Sequence, residues 1–234
     1  MKEIKFIPFT QLADQIMDEP RPSGKFIPEW YKKMSTYITD KPICKMHDAK
    51  QSNLTVKACI PVLDAMTSGY MVTLNSDIIV TRDPSYPHRI LWDVSWTVVS
   101  EHSQKQYGEM IAPAGYERDP YKWEGFFAIQ TPPGYSCYFT HPTNRFDLPF
   151  ITLTGIVDTD NYKLPVNFPF FLKDDFEGII PKGTPIAQVI PIKREEWIST
   201  KVSFDPTVRN WIDDLKTVIF RSYKDRFWSK KHYK

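Results

Sequence analysis

Proline limits this chain more than any other residue type. Its 234 residues include 20 prolines and nine glycines, where average usage gives about 12 and about 16. Each proline removes a ladder donor and interrupts a helix, so short strands and rigid loops are what such a chain can build. An aromatic content of 15% agrees, because aromatic rings pack well on a pleated, half-buried surface.

From about residue 54 to 202 the pattern reads as β. The runs 54–60, 70–74, 77–81, 90–99, 128–130, 135–140, 150–153, 163–172 and 186–192 are rich in β-branched and aromatic residues and bounded by Gly, Pro, Asn or Asp. This spacing predicts a mainly β fold of the sandwich, barrel or jelly-roll kind. Pro165 and Pro169 fall inside one run. Proline is tolerated at edges and bulges, so that strand is expected to be bent or at a rim. The stretch 103–125, with Gly108, Pro113, Gly115, Pro120 and Gly125, is expected to be a loop excursion carrying features particular to this protein.

Three regions follow: an N-terminal arm over 1–50, a β domain over 51–202, and a C-terminal helix with a basic tail over 203–234. Phe6, Phe9, Phe26, Trp30 and Tyr31 make the arm too apolar for a solvated tail. It is expected to pack on the body or on a neighbour, with Pro28 starting a short helix. Asp205 can cap, Pro206 suits a first helical position, and Val208, Trp211, Ile212, Leu215, Val218 and Ile219 mark one face of a helix over 206–222. Residues 221–234 hold six Lys or Arg against one Asp, a charge of +5. Such an end complements the helix dipole and frays. Alternatively, with Phe227, Trp228, Lys230 and Lys231, it meets an acidic partner or nucleic acid.

A hydrophobic fraction of 41%, a charged fraction of 25% and a net charge of +2 are ordinary for a globular chain and exclude a uniformly basic nucleic-acid binder. Cys44, Cys59 and Cys137 are scattered and odd in number, which argues against a disulfide framework and a zinc site. The opening MKEIKFIPFTQLADQ has no apolar h-region, and no apolar run reaches 18 residues. The expectation is therefore no membrane partner, and a cytoplasmic protein or one carried in a particle assembled inside a cell.

Four patches bear on chemistry. They are Ala65-Met-Thr-Ser-Gly69-Tyr-Met-Val72, Pro132-Pro-Gly134-Tyr135-Ser-Cys-Tyr-Phe139, Gly155-Ile-Val-Asp158 with Tyr162, and Lys182-Gly183 with Ile186-Ala-Gln188. In order and spacing they resemble the dUTPase and dCTP-deaminase superfamily over about residues 60–195. The resemblance implies a dUTPase-like barrel (a β-clip or distorted jelly-roll) and self-association, often as a trimer. It implies that Asp158, the catalytic candidate, orients a water and a sugar hydroxyl. It also implies that Tyr162, Arg145, Gln188 and Lys182 border a nucleotide. The Pro-Pro-Gly-Tyr-Ser and Gly-Ile-Val-Asp-Thr-Asp patterns also resemble an uncharacterised family of phage and bacterial proteins, which implies a viral or virus-derived origin.

The departures weigh against catalysis. Met71 stands where the superfamily carries Asp, and Asn161 adds a residue before Tyr162. His141-Pro-Thr-Asn-Arg145 replaces an Arg-Ser-Gly phosphate loop. Without glycine and with a proline, backbone N–H groups approach phosphate less closely. The last glycine is Gly183, so no glycine-rich lid follows it. Triphosphate chemistry with Mg²⁺ needs donors and cations around several phosphate oxygens, and Lys182, Arg145 and Gln188 are few for that task.

Other chemistry has little support. His47, His88, His102, His141 and His232 show no metal-ligand spacing, and no P-loop or Gly-x-Ser-x-Gly is present. Asp158 and Asp160 in series suit either a hard cation or the capping of backbone donors. Cys137 sits between Tyr135 and Tyr138 and reads as a packing residue. The expectation is a non-enzymatic, dUTPase-like β protein used for assembly or binding, such as a phage virion structural or accessory protein. Trp30, Tyr31, Phe227, Trp228, Lys230 and Lys231 would be its partner-binding residues, and no cofactor is implied. The alternative is a nucleotide-binding or nucleotide-hydrolysing enzyme with a remodelled site, which would use Mg²⁺. Nucleic-acid binding through 221–234 is a third reading.

Overall fold

The computed structural model describes residues 2–38, 54–86, 89–217 and 222–234, with backbone alone at 104, 212–217 and 222. Cys44, His47 and His88 lie outside the described residues, as do residues 39–50 of the predicted arm. Two compact units make up the chain. The first joins Met1–Phe26, Ser68–Arg194 and Tyr233–Lys234, and the second joins Ile27–Thr67 and Glu195–His232.

The fold is mainly β. Its strands are β1 (Lys5–Pro8), β2 (Arg21–Pro22), β3 (Tyr70–Thr73), β4 (Ile78–Val80), β5 (Ile90–Trp92), β6 (Val99–Glu101) and β7 (Tyr121–Trp123). They continue with β8 (Phe127–Gln130), β9 (Tyr135–Thr140), β10 (Phe150–Thr152), β11 (Gly155–Val157), β12 (Phe168–Leu172), β13 (Gly178–Ile180) and β14 (Pro185–Lys193). The helices are α1 (Gln11–Ile16), α2 (Glu29–Lys33), α3 (Ile60–Thr67), α4 (Gln104–Tyr107), α5 (Pro206–Thr217) and α6 (Ser222–Arg226). All the strands, with α1 and α4, belong to the first unit.

The strands form four antiparallel sheets, ordered β1-β8, β10-β12-β7-β6, β11-β9-β14-β3-β2 and β13-β4-β5. Among the described residues they do not close into one barrel. Alternation decides what is buried: Ile78 and Val80 point inward while Ile79 between them is exposed. The core is aromatic. The fully buried rings of Trp123 and Phe170 stack at 3.7 Å and 8°, and Phe150 meets Trp123 edge-on at 5.0 Å.

Pro169 lies in β12, an inner strand, so of the two expectations, a bend or a rim, the rim does not hold. The Leu153 N–H donates to the Pro169 carbonyl at 2.8 Å. The proline has no N–H to return, and the β10–β12 ladder ends one pair earlier, at Thr152 and Phe170. The strand tolerates proline because its partner strand stops there.

Two local readings are corrected. Residues 54–60 are not a strand: Thr55 accepts from the Lys57 N–H at 3.3 Å and starts a 3-10 turn over Val56–Ala58, and α3 follows with Pro61 in its first turn. The run 90–99 is two strands, because β5 pairs with β4 in one sheet and β6 with β7 in another. The excursion 103–125 contains α4, capped by Ser103 with Gln106, and ends in β7.

In the second unit, Pro28 precedes α2 at the cap position. Asp205 caps α5, accepting from the Thr207 N–H at 2.8 Å. The predicted C-terminal helix is two pieces, α5 and α6, with 218–221 outside the described residues. No helix among the described residues is long and apolar enough to cross a membrane.

Candidate functional site

The four chemistry-bearing patches fall on or beside four adjacent strands, β11, β9, β14 and β3, of the five-stranded sheet. One close approach depends on glycine. Gly69 has φ +67°, and a Cβ there would lie 2.0 Å from the Val189 carbonyl oxygen on β14. Only a residue without a side chain lets the chain enter β3 beside β14.

At one end of this sheet the register sets Lys193 opposite Tyr135, which brings Arg194 to the 132–136 turn. The Arg194 N–H donates to Gly134 O at 2.9 Å. Its guanidinium donates to Asp160 Oδ1 at 2.9 Å and also to Asp160 Oδ2, and it reaches Asp158 Oδ1 at 3.3 Å. The Ser136 hydroxyl donates to Asp158 Oδ1 at 2.7 Å, and the Gly134 N–H to Asp160 Oδ2 at 2.9 Å. Chiefly because of the Arg194 hydrogen bonds, the Asp160 carboxyl is held down at about 2, and Asp160 raises the guanidinium in return. The Asp158 carboxylate, expected to orient a water, is met by a serine hydroxyl and an arginine. Tyr162 joins this end through its N–H, which donates to Asp158 O at 2.8 Å, and its side chain is exposed.

Gln188 lies elsewhere. It pairs with Thr140 on β9, while Asp158 is tied to Ser136. Four residues of strand separate those levels, about 14 Å at roughly 3.4 Å per residue. Gln188 is fully buried: its Oε1 accepts from the Thr143 N–H at 3.0 Å and hydroxyl at 2.8 Å, and its Nε2 donates to Ser68 O at 2.6 Å. The amide that resemblance places at a nucleotide instead ties the 141–145 turn to the 68–69 turn.

Arg145 forms a forked pair with Asp147, Nε to Oδ1 at 2.9 Å and Nη2 to Oδ2 at 2.8 Å. His141 Nε2 donates to Arg145 O at 3.0 Å, and burial pushes its pKa down. Lys182 occupies the exposed β13–β14 turn, where its N–H donates to Asp77 Oδ1 at 2.6 Å. The structure therefore joins Asp158 with Tyr162 and Gln188 with the turn before Arg145, and leaves those two groups apart.

Among the described residues no group of three or more His, Cys, Asp or Glu is placed to hold a metal ion. The Cys137 thiol, fully buried and accepting from Thr159 Oγ1 at 3.3 Å, is pushed up to about 11 by burial, far from a reactive thiolate. An apolar cleft lined by Val72, Leu74, Val98, Phe127, Ile129 and Phe168 has about 20 Å³ for water, little more than one molecule needs.

In the second unit Tyr31, expected on a partner-binding face, is buried with its hydroxyl donating to Lys57 O at 3.3 Å. Trp30 stands against Tyr31, rings 5.7 Å apart, and is partly exposed. Trp228 Nε1 and Lys231 Nζ both donate to Asp64 Oδ2, at 2.8 and 2.6 Å. Phe227 and Lys230 are exposed.

Sequence reasoning missed Arg194, and it missed the surface that follows. Trp197, Ile198, Val202 and Phe204 are between 77% and 92% exposed, and Val208 and Trp211 on α5 are exposed as well. Residues 197–204 form neither helix nor ladder and make no backbone hydrogen bond to a described residue. The alternation Ile198-x-Thr200-x-Val202-x-Phe204 was the available signal.

In comparisons with known proteins, no family model matches this chain and no curated protein matches it.

Proposed function

We propose that this chain is a non-enzymatic β protein that works by assembly, built on a dUTPase-like scaffold that no longer cradles a polyphosphate. The neighbouring positions of β11, β9, β14 and β3 in one sheet support the resemblance on which the scaffold half rests. The internal hydrogen bonds of Asp158, Gln188 and Arg145 support the loss of catalysis.

The exposed apolar surface of Trp197, Ile198, Val202, Phe204, Val208 and Trp211 carries the assembly half. Together these six side chains leave on the order of 800 Å² of apolar surface in water. That area is also what one partner contributes to a standard interface, about 800 Å². A virion or another multi-subunit particle is a setting such a surface suits.

Sedimentation of the full chain tests this. A species heavier than one chain is expected, reduced to the single chain by joint replacement of Trp197, Ile198, Val202 and Phe204 with Ser. A single chain whose melting temperature rises with micromolar dUTP or dCTP and Mg²⁺ would replace assembly with the nucleotide-enzyme alternative.

A further inference from the structure

We infer that residues 197–203 of two copies pair as antiparallel strands about a two-fold axis through Thr200, making this segment the symmetric contact between chains. The inference rests on the assembly reading above and names its partner. Ile198, Thr200, Val202 and Phe204 alternate with Ser199, Lys201 and Ser203, the pattern of a strand with one covered face. The stretch 197–204 nevertheless has no backbone partner among the described residues, and its large apolar side chains lie open. A segment whose backbone N–H and C=O groups lack partners offers another chain the same template as a bare sheet edge.

The sequence of the segment then selects a second copy as its occupant. In an antiparallel pair, opposing residues share a face, so an axis lying between residues would set Ile198 against Ser203 and mix the faces. An axis through Lys201 aligns the faces but sets two ammonium groups directly opposite, which is destabilising. An axis through Val202 runs Ile198 into Pro206, where α5 begins. With Thr200 on the axis, Ile198 meets Val202 of the second copy twice over and the two Thr200 residues face each other, a favourable pair. Lys201 then meets Ser199 and lies diagonal to Trp197, within reach of its ring face. Of these registers, only that through Thr200 opposes no like charges and, over 197–203, sets no apolar residue against a polar one on the covered face; the pairing stops there, before Phe204 would meet Glu196. The surface is thus complementary to itself, as a two-fold contact requires.

Disulfide trapping tests the pairing. Thr200→Cys, in a chain with Cys44 and Cys59 changed to Ser, puts two Cβ atoms about 4.5–5.5 Å apart, close to disulfide reach. Mild oxidation is expected to give a covalent dimer, at least about tenfold less of it for Ser199→Cys or Lys201→Cys because those residues do not face themselves. An equimolar mixture of Ile198→Cys and Val202→Cys chains should cross-link where neither does alone. Residues 198–202 are all exposed, so the cysteine variants there keep the fold. An assembled chain that traps best at Lys201→Cys, or nowhere in 198–204, overturns the pairing and leaves the assembly reading standing. A chain that sediments as a single copy overturns both.

Discussion

Gln188→Leu separates a structural amide from a ligand-binding one. With no exposed surface, the wild-type side chain hydrogen-bonds twice to Thr143, at 3.0 and 2.8 Å, and to Ser68 O at 2.6 Å. Each contributes a net of about 1 kcal/mol, and a buried group left without a partner costs about 1–3 kcal/mol more. Leucine fills similar space but takes the amide away from the Thr143 N–H and hydroxyl and from the Ser68 carbonyl, so the expected loss is about 3–5 kcal/mol. For a chain of this size that lowers the melting temperature by roughly 10 °C. Gln188→Glu keeps the acceptor but sets a carboxylate oxygen against Ser68 O, so its loss at pH 7 should be comparable and should shrink when acid protonates the carboxyl. Urea titrations followed by far-UV circular dichroism supply the numbers, with the slope unchanged from wild type. A loss under about 1 kcal/mol for Gln188→Leu refutes the clamp. Unchanged stability together with loss of a nucleotide-induced thermal shift would make Gln188 a ligand contact.

Other outcomes follow from the same structure. Gly69→Ala forces a Cβ to within 2.0 Å of the Val189 carbonyl oxygen at φ +67°; a loss above about 3 kcal/mol is expected, and near-wild-type soluble yield and urea midpoint would contradict it. The Asp160 carboxyl titrates at about 2 in the folded chain against an ordinary 3.8, so the unfolded chain takes up the proton first as pH falls. Its pair with Arg194 therefore stabilises fully above about pH 4 and is lost toward pH 2. The urea midpoints of wild type and Asp160→Asn should differ at pH 6 and converge near pH 2; a gap that widens in acid refutes this. Native protein treated with a thiol reagent at pH 8 should be labelled at exposed Cys59 and spared at Cys137, whose thiol lies near 11. Labelled Cys137 peptides from native protein, seen by mass spectrometry, would contradict its burial.

Much of the local structure was legible. Tyr135-Ser-Cys-Tyr-Phe-Thr140 forms β9 over the expected residues, because dense aromatic and β-branched side chains favour the pleated conformation wherever the strand is placed. Asp205 before Pro206 announced the start of α5. The run 54–60 misled, since Val and Ile suit a strand, while the Thr55 cap and Pro61 formed a turn and a helix. Ile90 to Val99 looked continuous because local composition does not register that a chain has passed from one sheet to another.

The candidate site shows the same division more sharply. Asp158, Gln188 and Arg145 stood out by residue type and order alone. The alternation through Ile198 and Phe204 was equally open to inspection, and so were the caps, turns and strand faces, because they depend on neighbours a few positions away. Which partner each polar group meets was decided only by the fold. Asp158 meets Arg194 across a separation of 36 residues, and Gln188 meets Ser68 across 120. Those distances close only when sheet order and register place β14 between β9 and β3. Register is selected by the burial of whole strand faces, a property of the packed sheet that no single segment contains.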